Sequence, residues 1–336
     1  MKELITKIAD RVVLRDDTDW NMNINHFDWV PGVGLHGIFI AYKQTNDKKY
    51  LDFLINWTDK FLSSAYEKKT VNSTAPMLTV LELYLITKNE KYLKTCIDIA
   101  EYIITEAPLT REGGLEHTVT EAVAGFSEQI WADTLFMVCI FLAKLGKVCD
   151  KKYLEFSLNQ LKIHFELLSD ENGLFYHGWN CGLGNHMSGI LWGRANAWII
   201  YSSMEILAVS DDFEGRDSVI DRVKKHADAL IKYQREDGSF GTIINDPSAY
   251  SEASATGGII SGLTKAMEYG IIVEDGKMVC QRGISYIKSV ISEDGSVLHV
   301  STGTPVMKDA ESYKNIPAIS PTLYGQTFAI CALEGK

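Results

Sequence analysis

The segment SEQIWADTLFM sets one carboxylate, Asp133, at the start of what reads as a helix whose following turns are wholly apolar. The helix N-terminus favours the charged form of that group and the apolar turns favour the neutral form, which suits a residue that must give and take a proton. A capping Asp is the plain structural alternative. In LWGRANAWII, Trp192, Arg194 and Trp198 follow W-x-R-x-x-x-W spacing at another helix start. The Arg194 guanidinium is a planar fork that matches a carboxylate, and Trp198, one turn on, can offer a flat face to a ring. A structural Arg paired with an acidic neighbour, with both Trp in the core, is the competing reading. His177 in FYHGW adds a hydrogen-bond donor in a Gly-flanked loop, a position where His more often serves structure than ligand binding.

No HExxH, CxxC or clustered Asp spacing points to a metal. STGTP (301–305) lacks the flanking strand and helix of a phosphate loop, and no GxSxG elbow is present. The net charge of -11 excludes the basic stripe that nucleic acid requires. An anionic ligand would need a local cation inside a pocket. The six cysteines are scattered without a CxxC pair and read as buried free thiols in a reducing compartment. The N-terminus lacks the apolar core of a signal peptide, and no apolar run reaches the length of a membrane span, so a cytoplasmic protein is expected.

The elements that must position these groups are helical almost throughout. LTVLELYLI (78–86) and LFMVCIFLAKL (135–145) are apolar on most sides, whereas KYLKTCIDIAEYII (91–104) and SVIDRVKKHADALIKY (218–233) are one-sided. A weak repeat opens the second helix of successive hairpins: KKYL at 48–51, EKYL at 90–93 and KKYL at 151–154. Asp/Asn-Gly turns recur in DENGLF (170–175), EDGSFG (236–241) and EDGSVL (293–298). About twelve helices result, near 2–14, 33–44, 47–63, 74–87, 89–105, 128–145, 150–167, 193–208, 216–234, 252–270, 275–291 and 322–334. The even-numbered ones are the more apolar. This predicts an all-α (α/α)6 barrel, a toroid of six helical hairpins forming one catalytic domain over residues 1–336. An open helical solenoid is the alternative.

Links into the even helices are long and links out of them short, so the two classes fall on opposite faces of such a ring. Long loops in a compact domain are usually functional. The site is therefore expected where the inner helices begin, among free N–H groups and positive dipole ends that favour a carboxylate-bearing ligand. Residues at those starts include Asp28, Trp29, His36, Asn72, His117, Trp131, Glu252 and Tyr324 besides the groups above.

WADTLFM, FYHGW, LWGRANAW, the EASATGG helix start and the closing NIPAISPTLYGQ together resemble the unsaturated rhamnogalacturonyl hydrolases of glycoside hydrolase family 105, relatives of the family 88 unsaturated glucuronyl hydrolases. The similarity runs from about residue 29 to the C-terminus. It implies an (α/α)6 barrel with no metal and no organic cofactor. It also implies hydration of the C4=C5 double bond that pectin lyases leave on a terminal uronyl residue. Carried onto this chain, Asp133 would protonate C4 and help deprotonate the water that adds at C5. The resemblance gives Arg194 the uronate carboxylate, Trp198 the ring and His177 an orienting role, with Trp131 and Trp192 as pocket walls. It departs from the family pattern at Asn72, which stands where relatives often carry a second Asp, and at His36, in place of a more usual aromatic. Both are expected to touch the substrate. The partner is then an unsaturated uronyl oligosaccharide, not nucleic acid or membrane, bound by a monomer or weak homodimer. Two rivals remain at this point: a sugar 2-epimerase on a similar barrel, using His36, His177 or His186 as bases, and a non-catalytic oligosaccharide-binding protein.

Overall fold

The computed structural model describes residues 1–120, 126–272, 274–318 and 321–334. Residues 319 and 320 of the NIPAISPTLYGQ motif, and the last two of the chain, lie outside that description. In chain order the helices are α1 (Lys2–Val13), α2 (Trp29–Thr45), α3 (Lys48–Phe61), α4 (Val71–Thr74), α5 (Met77–Thr87), α6 (Glu90–Thr105) and α7 (Ile140–Val148). They continue with α8 (Lys152–Leu168), α9 (Gly193–Leu207), α10 (Arg216–Lys232), α11 (Ala253–Glu268), α12 (Glu274–Ser289), α13 (Ala310–Lys314) and α14 (Leu323–Leu333).

The helices that are apolar all round form the inner ring. Helices α2, α5, α7, α9, α11 and α14 each pack on the next, and α14 packs back on α2, so the ring closes. The solenoid alternative falls at that contact. The one-sided helices α1, α3, α6, α8, α10 and α12 form the outer layer, and a single hydrophobic cluster runs from Ile5 to Leu333. The architecture is the expected (α/α)6 barrel. Among the described residues, no helix is long and apolar enough to cross a membrane.

Three departures from the sequence reading matter for the site. Helix α2 begins at Trp29 rather than 33, because the Asp28 side chain accepts the Trp29 N–H and starts the helix a turn early. The helix expected over 74–87 is split at Pro76, which has no N–H to continue the ladder. The Thr70–Ser73 capping box starts the short α4 ahead of the break. Most consequential, the helix expected to start at 128 does not. Residues Gln129–Trp131 form strand β1, paired antiparallel with β2 (Gly178–Asn180) in the register Gln129↔Asn180, Ile130↔Trp179, Trp131↔Gly178. Only after Asp133 does the chain wind up, through a π-helical turn at Leu135–Cys139 that runs into α7. Such turns are concentrated at functional sites.

The Asp/Asn-Gly turns close small loops after outer helices. Gly238 and Gly295 adopt φ +88 and +86, a left-handed conformation that side chains other than Asn or Asp avoid. The chain then returns to the next inner helix on the long-loop face.

Candidate active site

The starts of the inner helices surround a cavity of about 250 Å3, at the small end for ligand pockets and suited to little more than one sugar ring. Its wall comes from the starts of α2, α4 and α9, from the strand and π-helical turn that lead into α7, and from the loops before α2, α7, α9 and α14. It contains Trp29, Asn72, Trp131, Asp133, His177, Trp192, Arg194 and Trp198, together with Trp20, His117, Phe126 and the segment Gly303–Pro305.

Asp133 reaches this place through the β1–β2 ladder. The Ala132 N–H donates to the His177 carbonyl at 3.0 Å, so the acid and the imidazole enter the cavity from adjacent rungs. The Asp133 carbonyl accepts from Phe136 N and Met137 N at 2.9 and 3.0 Å, which fixes the backbone at the helix start. Its side chain is 14% exposed, and Oδ1 has no hydrogen-bond partner within the protein. Nδ1 of His117 lies 3.8 Å from that oxygen. The His117 ring is stacked on Trp131 at 4.0 Å with the planes 6° apart. Among the described residues that line the cavity, Asp133 is the one carboxylate.

His177 is held from both sides. Its Nδ1 lies 2.7 Å from the Tyr313 hydroxyl, and its ring lies against Trp192 at 4.0 Å. Burial, then the charges of Arg194 and His117, push its pKa well below the ordinary range, so the ring is neutral at physiological pH. Its loop is clamped by Asn196, whose amide donates to the Phe175 and Trp192 carbonyls and whose oxygen accepts the Phe175 N–H.

Arg194 lines the cavity, but its fork is already in use. Nη1 donates to Ser301 Oγ at 2.6 Å, to the Ser301 carbonyl at 3.1 Å and to Ser254 Oγ at 3.2 Å. Nη2 donates to the Thr302 carbonyl and to Thr304 Oγ1, both at 3.0 Å. Glu252, the N-cap of α11, lies 3.5 Å from Nη1, and both side chains are 1% exposed. The guanidinium is sandwiched between Trp192 and Tyr324 at 4.6 and 4.7 Å. The open fork expected from LWGRANAW is therefore replaced by a buried cation that fastens the 301–304 segment to the cavity wall. The competing reading of an Arg paired with an acidic neighbour describes its hydrogen bonds, and its place in the cavity preserves its charge for a ligand.

Asn72 lies in the wall, buried, with Oδ1 lacking a partner in the protein. Trp192 Nε1 is likewise unpartnered. Together with Asp133 Oδ1 these atoms belong to residues of one cavity wall, where a polar ligand can complete their hydrogen bonding.

His36 is the correction. It does not line the cavity; Nε2 lies 2.6 Å from the buried Tyr201 hydroxyl, and the ring meets Phe136 edge-on at 5.7 Å. The early start of α2 explains this. Trp29 takes the rim position, and His36, two turns further along, points into the barrel core. Burial depresses its pKa to about 3, which keeps it neutral and leaves it no role as a base on a sugar in the cavity. His186 also lies outside the cavity wall, with Nε2 2.8 Å from the Leu167 carbonyl. Sequence reasoning missed Trp20, which sits in a polar loop without periodicity, and the Gly303–Pro305 segment, whose place depends on Arg194.

Among the described residues, one group has metal-ligand geometry: Glu112, Glu128 and Cys181. It does not line the cavity, and Glu128 is paired with Arg111 at 3.3 Å.

Residues 4–334 match the Glycosyl Hydrolase Family 88 profile, and the chain belongs to that family. It is 35% identical over 341 residues to the unsaturated rhamnogalacturonyl hydrolase YesR of Bacillus subtilis (strain 168), covering 99% of this chain and 94% of that protein. It is also 33% identical over 193 residues to an unsaturated 3S-rhamnoglycuronyl hydrolase of Alteromonas sp. (strain LOR), covering 54% of this chain and 47% of that protein. The crystal structure of a possible member of the GH105 family from Salmonella enterica serovar Paratyphi A superposes with a TM-score of 0.94 at 30% identity, covering 99% and 92% of the two chains. The protein is thus a glycosidase on the helical barrel of families 88 and 105, as the resemblance implies. The epimerase and binding-protein alternatives are not favoured.

Proposed function

We propose that this enzyme removes a 4,5-unsaturated galacturonyl residue from the non-reducing end of lyase-generated rhamnogalacturonan oligosaccharides, by hydrating the vinyl ether. The observation that carries this reading is the state of Asp133: one partly exposed carboxylate, unpartnered at Oδ1, among aromatic walls. Ordinary glycosidases need two carboxylates to flank the bond they break. Hydration of a vinyl ether needs only one that gives and then recovers a proton. In the proposed sequence Asp133 protonates C4, and water adds through its oxygen at C5. The second water proton returns to Asp133. The C5 hemiketal then opens, breaking its bond to the ring oxygen. The resulting aldehyde–hemiacetal chemistry at C1 releases the aglycone as an alcohol.

Around that acid, Trp198 offers a face to the ring, Trp131 and Trp192 bound it, and neutral His177 and Asn72 orient it. Arg194 attracts the uronate through its charge rather than through a free fork. The domain assignment is one catalytic unit over the whole chain. A cytoplasmic location is supported by six free cysteines, five of them buried. Monomer or weak homodimer is the proposed state.

The test is to add purified protein to lyase-generated unsaturated rhamnogalacturonan disaccharide and follow the ultraviolet absorbance of the double bond. The expected result is loss of that absorbance with release of rhamnose. An unchanged signal on this disaccharide and on its unsaturated glucuronyl counterparts would overturn the reading.

A further inference from the structure

Exposure rises steeply from the floor of the cavity to its rim. Trp198, Arg194 and His177 at the floor are each 1% exposed, whereas Trp20 at the rim is 42% exposed. An aromatic left that open keeps apolar area available, worth roughly 25 cal/mol per Å2 to whatever covers it. Trp20 is also not a loose loop residue. Met22 and Ile24, just after it, are buried, and the Ile24 carbonyl accepts from Trp57 Nε1 at 2.6 Å. The Asn21 carbonyl accepts the Leu323 N–H at 2.8 Å, which ties the loop to the start of α14. The indole meets Trp29 edge-on at 5.7 Å and 67°. Gly303 makes room for it: a β-carbon there would stand 2.8 Å from Trp20 Cζ3.

The ring is thus fixed in place, with part of its surface open, on the wall of the cavity that holds Asp133. That cavity accommodates little more than one ring. If the unsaturated uronyl occupies the floor beside Asp133, the sugar bonded to its C1 can lie only towards the rim. We propose that Trp20 is the platform on which this leaving sugar rests, and that it selects aglycones presenting an apolar C–H face, a 6-deoxyhexose first among them. Flat aromatic faces favour such surfaces because they bury carbon-bound hydrogens without stranding hydroxyls. The inference rests on the reaction proposed above and names the residue that reads the second sugar.

The experiment compares two substrates, the unsaturated galacturonyl–rhamnose disaccharide and the methyl glycoside of the same unsaturated galacturonic acid. For each variant the readout is the ratio of kcat/KM on the first to kcat/KM on the second, which does not depend on the fraction of protein folded. Trp20→Ala is expected to lower that ratio about tenfold, the scale of one aromatic face uncovered, while Trp20→Phe keeps most of it. An unchanged ratio in Trp20→Ala, even with both activities reduced, would show that Trp20 merely shields Trp29 and would overturn the inference alone. A wild-type protein inert on both substrates would instead overturn the reaction itself, and this inference with it.

Discussion

Charge is half-buried at both ends of the inner ring, and the two ends treat it differently. Where the inner helices finish, Lys144 lies 2.8 Å from Glu82 and 3.1 Å from Glu205. Lys265 lies 2.9 Å from Glu205 and 3.5 Å from Glu334. Cations near helix C-termini also complement the dipoles there. Burial opposes ionisation of Glu205, but the attraction of Lys144 and Lys265 prevails and holds its carboxyl well below the usual range. Where the inner helices start, by contrast, Asp133 Oδ1, Asn72 Oδ1 and Trp192 Nε1 have no hydrogen-bond partners in the protein. One end pairs its charges internally and serves stability; the other leaves a carboxylate oxygen without a hydrogen bond and serves a ligand. Arg194 belongs to both descriptions, since both its terminal nitrogens are hydrogen-bonded within the protein at the end that faces the ligand.

Asp133→Asn should have the largest effect. We expect kcat to fall by roughly 10^3-fold or more, the upper part of the range for a lost general acid–base, with a thermal midpoint close to wild type. Substantial double-bond loss in that variant would remove Asp133 from its role and the contrast with it. At the opposite end, Glu205→Gln should cost about 2 kcal/mol of stability, because it removes the carboxylate that Lys144 and Lys265 share and leaves each lysine with one partner, Glu82 or Glu334. Its kcat per folded molecule should stay near wild type. The sign with pH is definite: a carboxyl depressed in the folded state stabilises above its unfolded pKa, about 4.3, and that contribution is lost as pH falls through the folded value. The Tm gap between variant and wild type should therefore be widest at neutral pH and close on the acid side; a gap independent of pH would contradict the pairing described.

Arg194→Lys tests the residue that straddles the two ends. It keeps the charge and loses the fork that fastens Ser301–Thr304, so both readouts should move, with kcat/KM down by about thirtyfold and stability down by about 2 kcal/mol. A loss in only one readout would assign Arg194 to one end. His36→Asn is expected to have the smallest effect, about 1 kcal/mol in stability from the lost Tyr201 contact and ring packing, with no change in substrate preference. A shift in preference would return His36 to the site.

Much of this architecture was legible in the chain. All-round apolar helices alternate with one-sided ones, and link lengths alternate with them, so the ring and its functional face follow from pattern alone. Asp133, Trp192, Arg194 and Trp198 could be placed at the cavity because each lies within a turn or so of an inner-helix start. Three features were not legible, each for a physical reason. Strand β1 has three residues, and its partner lies some fifty residues on, so no local periodicity announces it. His36 was displaced by one side-chain hydrogen bond, from Trp29 N to Asp28, that begins α2 early. The hydrogen bonds of Arg194 come from residues 254 and 301–304, which no spacing around position 194 reveals.

The ladder that joins Trp131 to Gly178 also divides the rim into two kinds of territory. Acid and imidazole are riveted together by a ribbon that spans two neighbouring hairpins, whereas the loop bearing Trp20 is attached through α14 and Trp57 instead. Changes in the length or composition of that loop would therefore leave the acid and the imidazole beside it in place.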